Sequence, residues 1–171
     1  FFYIDGVYTI IDMATAYGTS LGLNTTGLLL ALLLTQIVAF PASLTFAVLS
    51  KTKDTASLIK VAIIAYFLIA LFAVQLDKQW EFWVLAVAVG CFQGGIQALS
   101  RSYFAKIIPE NASGEYFGLF DICGKGASFL GTMLIGVVTQ ITGKQSLGVA
   151  ALSIMFVIGY LIFNKVSKMD D

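Results

Sequence analysis

The sequence predicts an all-α fold, a polytopic transmembrane bundle of six helices, and three observations carry this; the further reading as two inverted three-helix repeats matches a known pattern. Of 171 residues, 58% are hydrophobic and 12% charged, and mean hydropathy is +0.90; ordinary soluble domains carry roughly 25% charged residues. The apolar residues gather into six runs, each near the roughly 20 residues with which a helix crosses a bilayer core of about 30 Å. The connectors between the runs are short, which makes successive helices reverse direction.

The first run covers 1–22 and stops where Gly22, Asn24, Thr25, Thr26 and Gly27 interrupt it. The second, 27–49, is leucine-rich with Gln36 near its centre. Pro41 lacks the amide hydrogen that an interior helical position donates, so a kink is expected there. Lys51 to Asp54 form the next connector. The run 57–76 is the driest, with Tyr66 as the one polar group between Val61 and Val74. Gln75 to Gln79 lead into 80–106, whose opening Trp80 and Trp83 suit an interfacial belt. A connector with Pro109 precedes 114–140, and Thr142 to Gln145 precede 146–164, in which little beyond Ser153 is polar. The runs fall into two groups of three, 1–76 and 80–164, the third of each group being the apolar one. An odd number of spans per group inserts the two triplets in opposite directions.

Ten basic residues balance ten acidic ones, and there is no histidine. No net charge points to nucleic acid. The usual zinc sets and the Ser-His and Cys-His nucleophile pairs are excluded. Cys91 and Cys123 lack the spacing of a thiolate metal site or a disulfide framework, so neither a metal nor a cofactor is expected. Lys51, Lys53, Lys60, Arg101, Lys106, Lys165 and Lys168 fall on one side of the membrane, Lys78 and Lys144 on the other, and Lys125 within a span. The positive-inside rule makes the first side cytoplasmic and places both termini there. Phe1 opens the chain inside an apolar run, which Asp5 distinguishes from a signal peptide; a piece of a longer protein is expected. Asn24 and Asn111 match the glycosylation pattern, the second on the wrong side for it.

The polar residues within the spans carry the functional information. Asp5, Thr9, Asp12, Ala16 and Thr19 share one stripe of the first helix, about 80° wide at helical periodicity. The fourth helix sets Gln93, Gln97 and Ser100 on one face, with Arg101 at its edge; the fifth repeats the pattern with Asp121, Lys125, Ser128, Thr132 and Thr139. An ionised side chain at mid-membrane costs about 2.5–3.5 kcal/mol on insertion scales, so these acids face water, a ligand or one another. Asp121 and Lys125 at i and i+4 also read as a structural ion pair, and the Ser and Thr positions as hydrogen bonds to helix backbone. Asp12 has no sequence-local partner, and three striped helices favour a shared polar cavity. Its expected lining is Asp5, Asp12, Gln36, Gln93, Gln97, Asp121, Lys125, Ser128 and Thr132. Gly90 with Gly94, and Gly114 with Gly118, form GxxxG pairs suited to tight packing or to a sliding surface.

Two stretches carry a resemblance. Phe2 to Ile11, FYIDGVYTII, is similar to the seventh helix of the autophagy-linked vacuolar amino-acid effluxer family and its bacterial relatives. Gly90 to Phe120, GCFQGGIQALSRSYFAKIIPENASGEYFGLF, resembles that family's tenth helix, cytoplasmic loop and entry to the eleventh. The pattern that the two inverted three-helix repeats match is the organisation of a major facilitator half. The resemblance implies a twelve-span transporter of which residues 1–171 form the C-terminal six-helix half, paired with an N-terminal six-helix half. It implies that the first, second, fourth and fifth helices of each half surround the central cavity while the third and sixth face lipid. It also implies amino-acid efflux, and a bacterial cell membrane as the location.

The leading expectation is therefore not an enzyme but half of a secondary active transporter, a permease moving a small polar solute, with amino acids the implied class, by alternating access. Lys125 attracts a substrate carboxylate or neutralises Asp121, Asp5 and Asp12 are the candidates for proton coupling, and Arg101 with Glu115 form a cytoplasmic gate. The alternative is a non-transporting scaffold or assembly module whose polar stripes bind another bundle, or an isolated half that self-associates. An aspartyl hydrolase built on Asp5 and Asp12 is disfavoured, because seven residues of helix separate them by about 10 Å along the axis; Asp12 with Asp121 stays open.

Overall fold

The computed structural model describes residues 1–109, 112–126 and 128–168, with the backbone only for Lys125. Seven helices follow one another: α1 (Phe2–Ser20), α2 (Thr25–Leu49), α3 (Thr55–Val74), α4 (Gln79–Ile107), α5 (Ser113–Lys125), α6 (Phe129–Thr142) and α7 (Gln145–Ser167). No strand occurs among the described residues. The starts are chemically marked. The Asn24 side chain accepts from the Gly27 amide at the head of α2, and Asp54 accepts from the Ala56 and Ser57 amides at the head of α3. Gly143, at a φ of 70°, closes α6 in the left-handed conformation that glycine adopts without strain. The helix continues through Pro41.

Two features differ from the sequence expectation. The run 114–140 is not one helix but two, α5 ending at Lys125 and α6 beginning at Phe129. Ser128 has a φ of 79°, a left-handed conformation outside the helical region. The second difference concerns α1. Five stretches meet the length and hydropathy of a spanning helix, with 113–142 counted as one, and α1 is not among them. Its 19 residues carry Asp5, Asp12 and several hydroxyls, which lower its hydropathy, yet it packs within the bundle like the others.

In that bundle α2 lies on α4, α3 on both α4 and α7, α6 on α7, and α1 against α7, α6 and α2. Exchanging the triplet α1–α3 for the triplet α4, α5–α6, α7 maps the α2–α4 contact onto α1–α6 and the α3–α4 contact onto α1–α7. The α3–α7 contact maps onto itself. The packing thus follows the two-fold relation of two triplets in which helices meet but not in how much: α2–α4 is far more extensive than α1–α6, and the extensive α6–α7 contact has no match between α2 and α3. Close α2–α4 approach rests on three glycines: a Cβ at Gly90 would stand 2.7 Å from the Thr35 carbonyl oxygen, one at Gly94 2.8 Å from Ser43 Cβ, and one at Gly95 would overlap the Phe46 ring. That GxxxG pair is packing. Gly114 and Gly118 face open space.

α3 and α7, the runs expected to face lipid, each present an exposed apolar face and also pack on one another. α3 and α7 meet at the centre, where Tyr66 stacks on Phe156 at 5.8 Å between ring centroids and the Tyr17 hydroxyl of α1 donates to the Ala73 carbonyl at 2.9 Å. Each has a buried face and an exposed apolar one, whereas α2 and the α5–α6 stretch are the least buried spans. Apolar composition does not separate the two environments, because helix-facing and lipid-facing positions are equally dry in a membrane.

Contacts between distant residues identify the two ends of the bundle. Tyr3 meets Ser100, and Lys106 Nζ donates to Thr55 Oγ1 at 3.3 Å, so the start of α1, the end of α4 and the start of α3 share one end. The Asn24 amide donates to Gln79 Oε1 at 3.1 Å at the other.

Candidate functional site

A cavity of about 980 Å³ opens among the start of α1, the end of α4, α5 and the end of α7. Most of its wall is apolar and aromatic. Its polar groups are Gln97, Arg101 and Asp121, together with Ser100, the Cys123 thiol and the tyrosines Tyr3, Tyr8 and Tyr103. Ser100 Oγ donates to the Ile96 carbonyl at 2.6 Å, which spends its hydrogen; the Tyr3 hydroxyl, 2.9 Å away, is therefore the donor in the Tyr3–Ser100 bond. This bond ties α1 to α4 beneath the cavity.

Arg101 Nη2 reaches Asp121 Oδ1 at 2.6 Å, and the guanidinium lies 5.7 Å from the centroid of the Phe120 ring. Phe104 of α4 meets Phe120 at 4.8 Å and Phe117 at 5.7 Å. The expected partner of Arg101 was Glu115; the structure pairs Arg101 with Asp121, which lines the same cavity, whereas Glu115 does not line it. The side chains of the pair are 61% and 53% exposed, so it is a pair that solvent or solute reaches.

Asp5 occupies a different place. Its carboxylate is fully buried at 0% exposure and lies at the start of α6, where Oδ1 accepts from the amides of Ser128 at 2.9 Å and Gly131 at 3.0 Å and from Thr9 Oγ1 at 3.3 Å. Oδ2 meets no donor among the described residues. A helix start presents unpaired amides and partial positive charge, and a carboxylate answers both. The acid expected in the solute path instead supplies the cap of a half-helix.

The comparisons with known proteins settle the lineage. The model of the family described as "Vacuole effluxer Atg22 like" matches residues 1–169. The chain belongs to that family. Among its relatives, an uncharacterized MFS-type transporter, YxiO of Bacillus subtilis, is 46% identical over 95% of this chain and 38% of its own length. Autophagy-related protein 22 of Eremothecium gossypii is 35% identical over 54% of this chain and 18% of its own, and that of Candida glabrata 38% identical over 52% and 16%. The chain thus spans well under half the length of these relatives. No solved structure matches it.

In this Atg22-like chain the polar stripe of α1 is divided. Asp5 and Thr9 are covered by α6, while Asp12, Ala16 and Thr19 are exposed. Gln36 is exposed and edges a second cavity of about 60 Å³ that is mostly apolar. Gln93 is half-buried with its Oε1 unpartnered among the described residues, Ser128 is half-buried at the break, and Thr132 is exposed. None of these lines the large cavity; Gln97, Arg101 and Asp121 do. The Lys125 side chain and Asn111 lie outside the described residues. Sequence reasoning missed the break and the cap on it. Gly124, Gly126 and Ser128 within five residues were the available signal, hidden by apolar flanks long enough to read as one span.

Proposed function

We propose that the chain is the C-terminal six-helix half of a secondary transporter that moves a small polar solute by alternating access. The observation that carries the reading is the Arg101–Asp121 pair, solvent-accessible at the edge of an aromatic cavity between helices of one bundle. The names of the relatives, a transporter and vacuole effluxers, support it. A guanidinium beside a carboxylate offers both signs of charge to a zwitterion, which favours amino acids as the solute class: substrate carboxylate to Arg101, substrate ammonium to Asp121, side chain to the aromatic wall. Gln97 serves as a further hydrogen-bonding group on the same wall.

The N-terminal half covers the exposed faces of α2 and α5–α6 and brings Asp12, Gln36, Gln93 and Thr132 against its own polar face. Asp12, an exposed carboxylate on α1, is the candidate for proton coupling. The end of the bundle that gathers Lys51, Lys53, Lys106, Arg101 and Lys165 faces the cytoplasm of a bacterial cell, by the positive-inside rule. The test is flux of radiolabelled amino acids by the full-length protein in proteoliposomes. Arg101→Gln and Asp121→Asn are expected to lower flux at least tenfold at unchanged protein level. Wild-type flux that does not exceed that of protein-free liposomes for any amino acid overturns the solute assignment. Unchanged flux in both variants overturns the site.

A further inference from the structure

We propose that Asp5 is a positioning residue, a buried pin that fixes α6 to α1 so that α5 pivots independently at the break between them. The geometry separates the two half-helices by the way each is held. The start of α6 is clamped: one Asp5 oxygen takes the Ser128 and Gly131 amides at 2.9 and 3.0 Å, and Thr9 Oγ1 also contacts the Ser128 carbonyl at 3.4 Å. Contact there is so close that a Cβ at Gly131 would overlap the Thr9 side chain. Beyond the clamp α6 continues onto α7, where a Cβ at Gly148 would stand 2.8 Å from the Ile135 carbonyl oxygen.

α5 is held in another manner. Among the described residues it shares no extensive interface with another helix, and a Cβ at Gly114, Gly118 or Gly124 would meet no neighbouring element within 4 Å. Among the described residues its ties are the Arg101–Asp121 pair, the Arg101 guanidinium over Phe120, and the contacts of Phe117 and Phe120 with Phe104, with Phe120 and Asp121 on the cavity wall. One half-helix is therefore anchored by a buried carboxylate, and the other is latched by an exposed ion pair and an aromatic cluster. Ser128, left-handed without being glycine, marks the joint; such a conformation persists where its surroundings enforce it. Asp5 supplies that enforcement, since without its carboxylate the Ser128 and Gly131 amides lose their acceptor and the start of α6 loses its tie to α1.

The pin's use in solute movement rests on the transporter reading; its geometry does not. Hydrogen exchange on the full-length protein in lipid nanodiscs reads the pin whether or not any solute crosses. In the wild type, peptides covering 128–132 are expected to exchange at least about tenfold more slowly than peptides within 114–123, as anchored segments do relative to loosely held ones. Asp5→Ala removes that protection while α2 and α4 keep theirs. Asp5→Asn, which retains an oxygen acceptor, recovers part of it. Spin labels at Ile122 and at Met133, each paired with a label at Leu44, give a broad distance distribution for α5 and a narrow one for α6. Equal exchange on the two sides of the break, or α5 and α6 distances of equal width in the wild type, overturns the proposal without needing a variant to fold. Wild-type flux no greater than that of protein-free liposomes, with the exchange contrast intact, counts against the transporter reading and leaves the pin standing.

Discussion

The Arg101 guanidinium stands 2.6 Å from the Asp121 carboxylate and joins the end of α4 to α5 at the edge of the large cavity. Because both side chains are more than half exposed, the pair contributes little to stability, on the order of 0.2–1 kcal/mol as exposed pairs do. Its removal should therefore be felt in solute handling and hardly in folding. We expect Arg101→Gln to shift the thermal midpoint of the full-length protein by no more than a degree or two while flux falls, and the exchanged pair Arg101→Asp with Asp121→Arg to recover latch contact but not solute orientation. Thermal unfolding in detergent beside a flux assay checks both; a large loss of stability with flux intact contradicts the assignment.

The two GxxxG pairs should respond in opposite ways to a methyl group. At Gly90 the added carbon meets the Thr35 backbone oxygen at 2.7 Å, and backbone does not yield as a side chain does. Gly90→Ala is expected to destabilise the bundle by about 1–3 kcal/mol, the usual range for overpacking. At Gly118 nothing stands within 4 Å, and Gly118→Ala gains helix propensity worth up to about 1 kcal/mol. Paired melting curves of the two variants give the comparison.

What could be read from sequence and what could not divide along a physical line. Run length and hydropathy fix which segments are helical in a membrane, and the expected boundaries differ from the observed ones by a few residues at most, apart from the fifth run. That run failed because a break needs only three or four residues, and the feature stabilising it, Asp5, lies 123 residues from Ser128. Periodicity placed Asp5 and Asp12 on one stripe but could not say that α6 covers one and leaves the other exposed. Gln97 and Asp121 were legible as polar groups on the striped faces of their helices, with Arg101 at the edge of one of them. The choice of Asp121 over Glu115 as the partner of Arg101 depended on where α5 lies, which no spacing encodes.

Tyr3→Phe tests the tie beneath the cavity. The Tyr3 hydroxyl donates to Ser100 Oγ, whose own hydrogen is committed to Ile96. Deleting the hydroxyl leaves Ser100 still bonded to its own helix, so no buried donor is orphaned. A net loss of about 0.5–1.5 kcal/mol is expected, the range for one hydrogen bond, against a larger loss for Tyr3→Ala, which also empties the ring's place beside Phe163 at 5.9 Å. Denaturation of the two variants separates the hydroxyl from the ring.

The connector before α3 predicts a dependence on acid. The Ser57 amide, 2.8 Å from Asp54 Oδ2, holds the Asp54 carboxyl below its usual range; the Ser57 hydroxyl, the Ala56 amide and the charge of Lys60 add to this, while burial opposes it. The group lies outside the spanning segment, at the N-cap of α3. A carboxyl whose pKa is lower folded than unfolded binds protons more readily in the unfolded chain. Its stabilising contribution is therefore complete above the unfolded value near the ordinary carboxylate range, and it fades as pH falls through the lowered folded one. Asp54→Ala should cost about 1 kcal/mol at neutral pH, as lost N-caps do, and the gap between variant and wild type should narrow in acid. Asp54→Asn keeps a neutral cap with an acceptor oxygen, so its stability should lie between the two at neutral pH. It should also vary less with pH than the wild type does. Thermal midpoints of the three proteins between neutral pH and pH 3 decide it. A gap that stays constant over that range would mean that the cap acts without its charge.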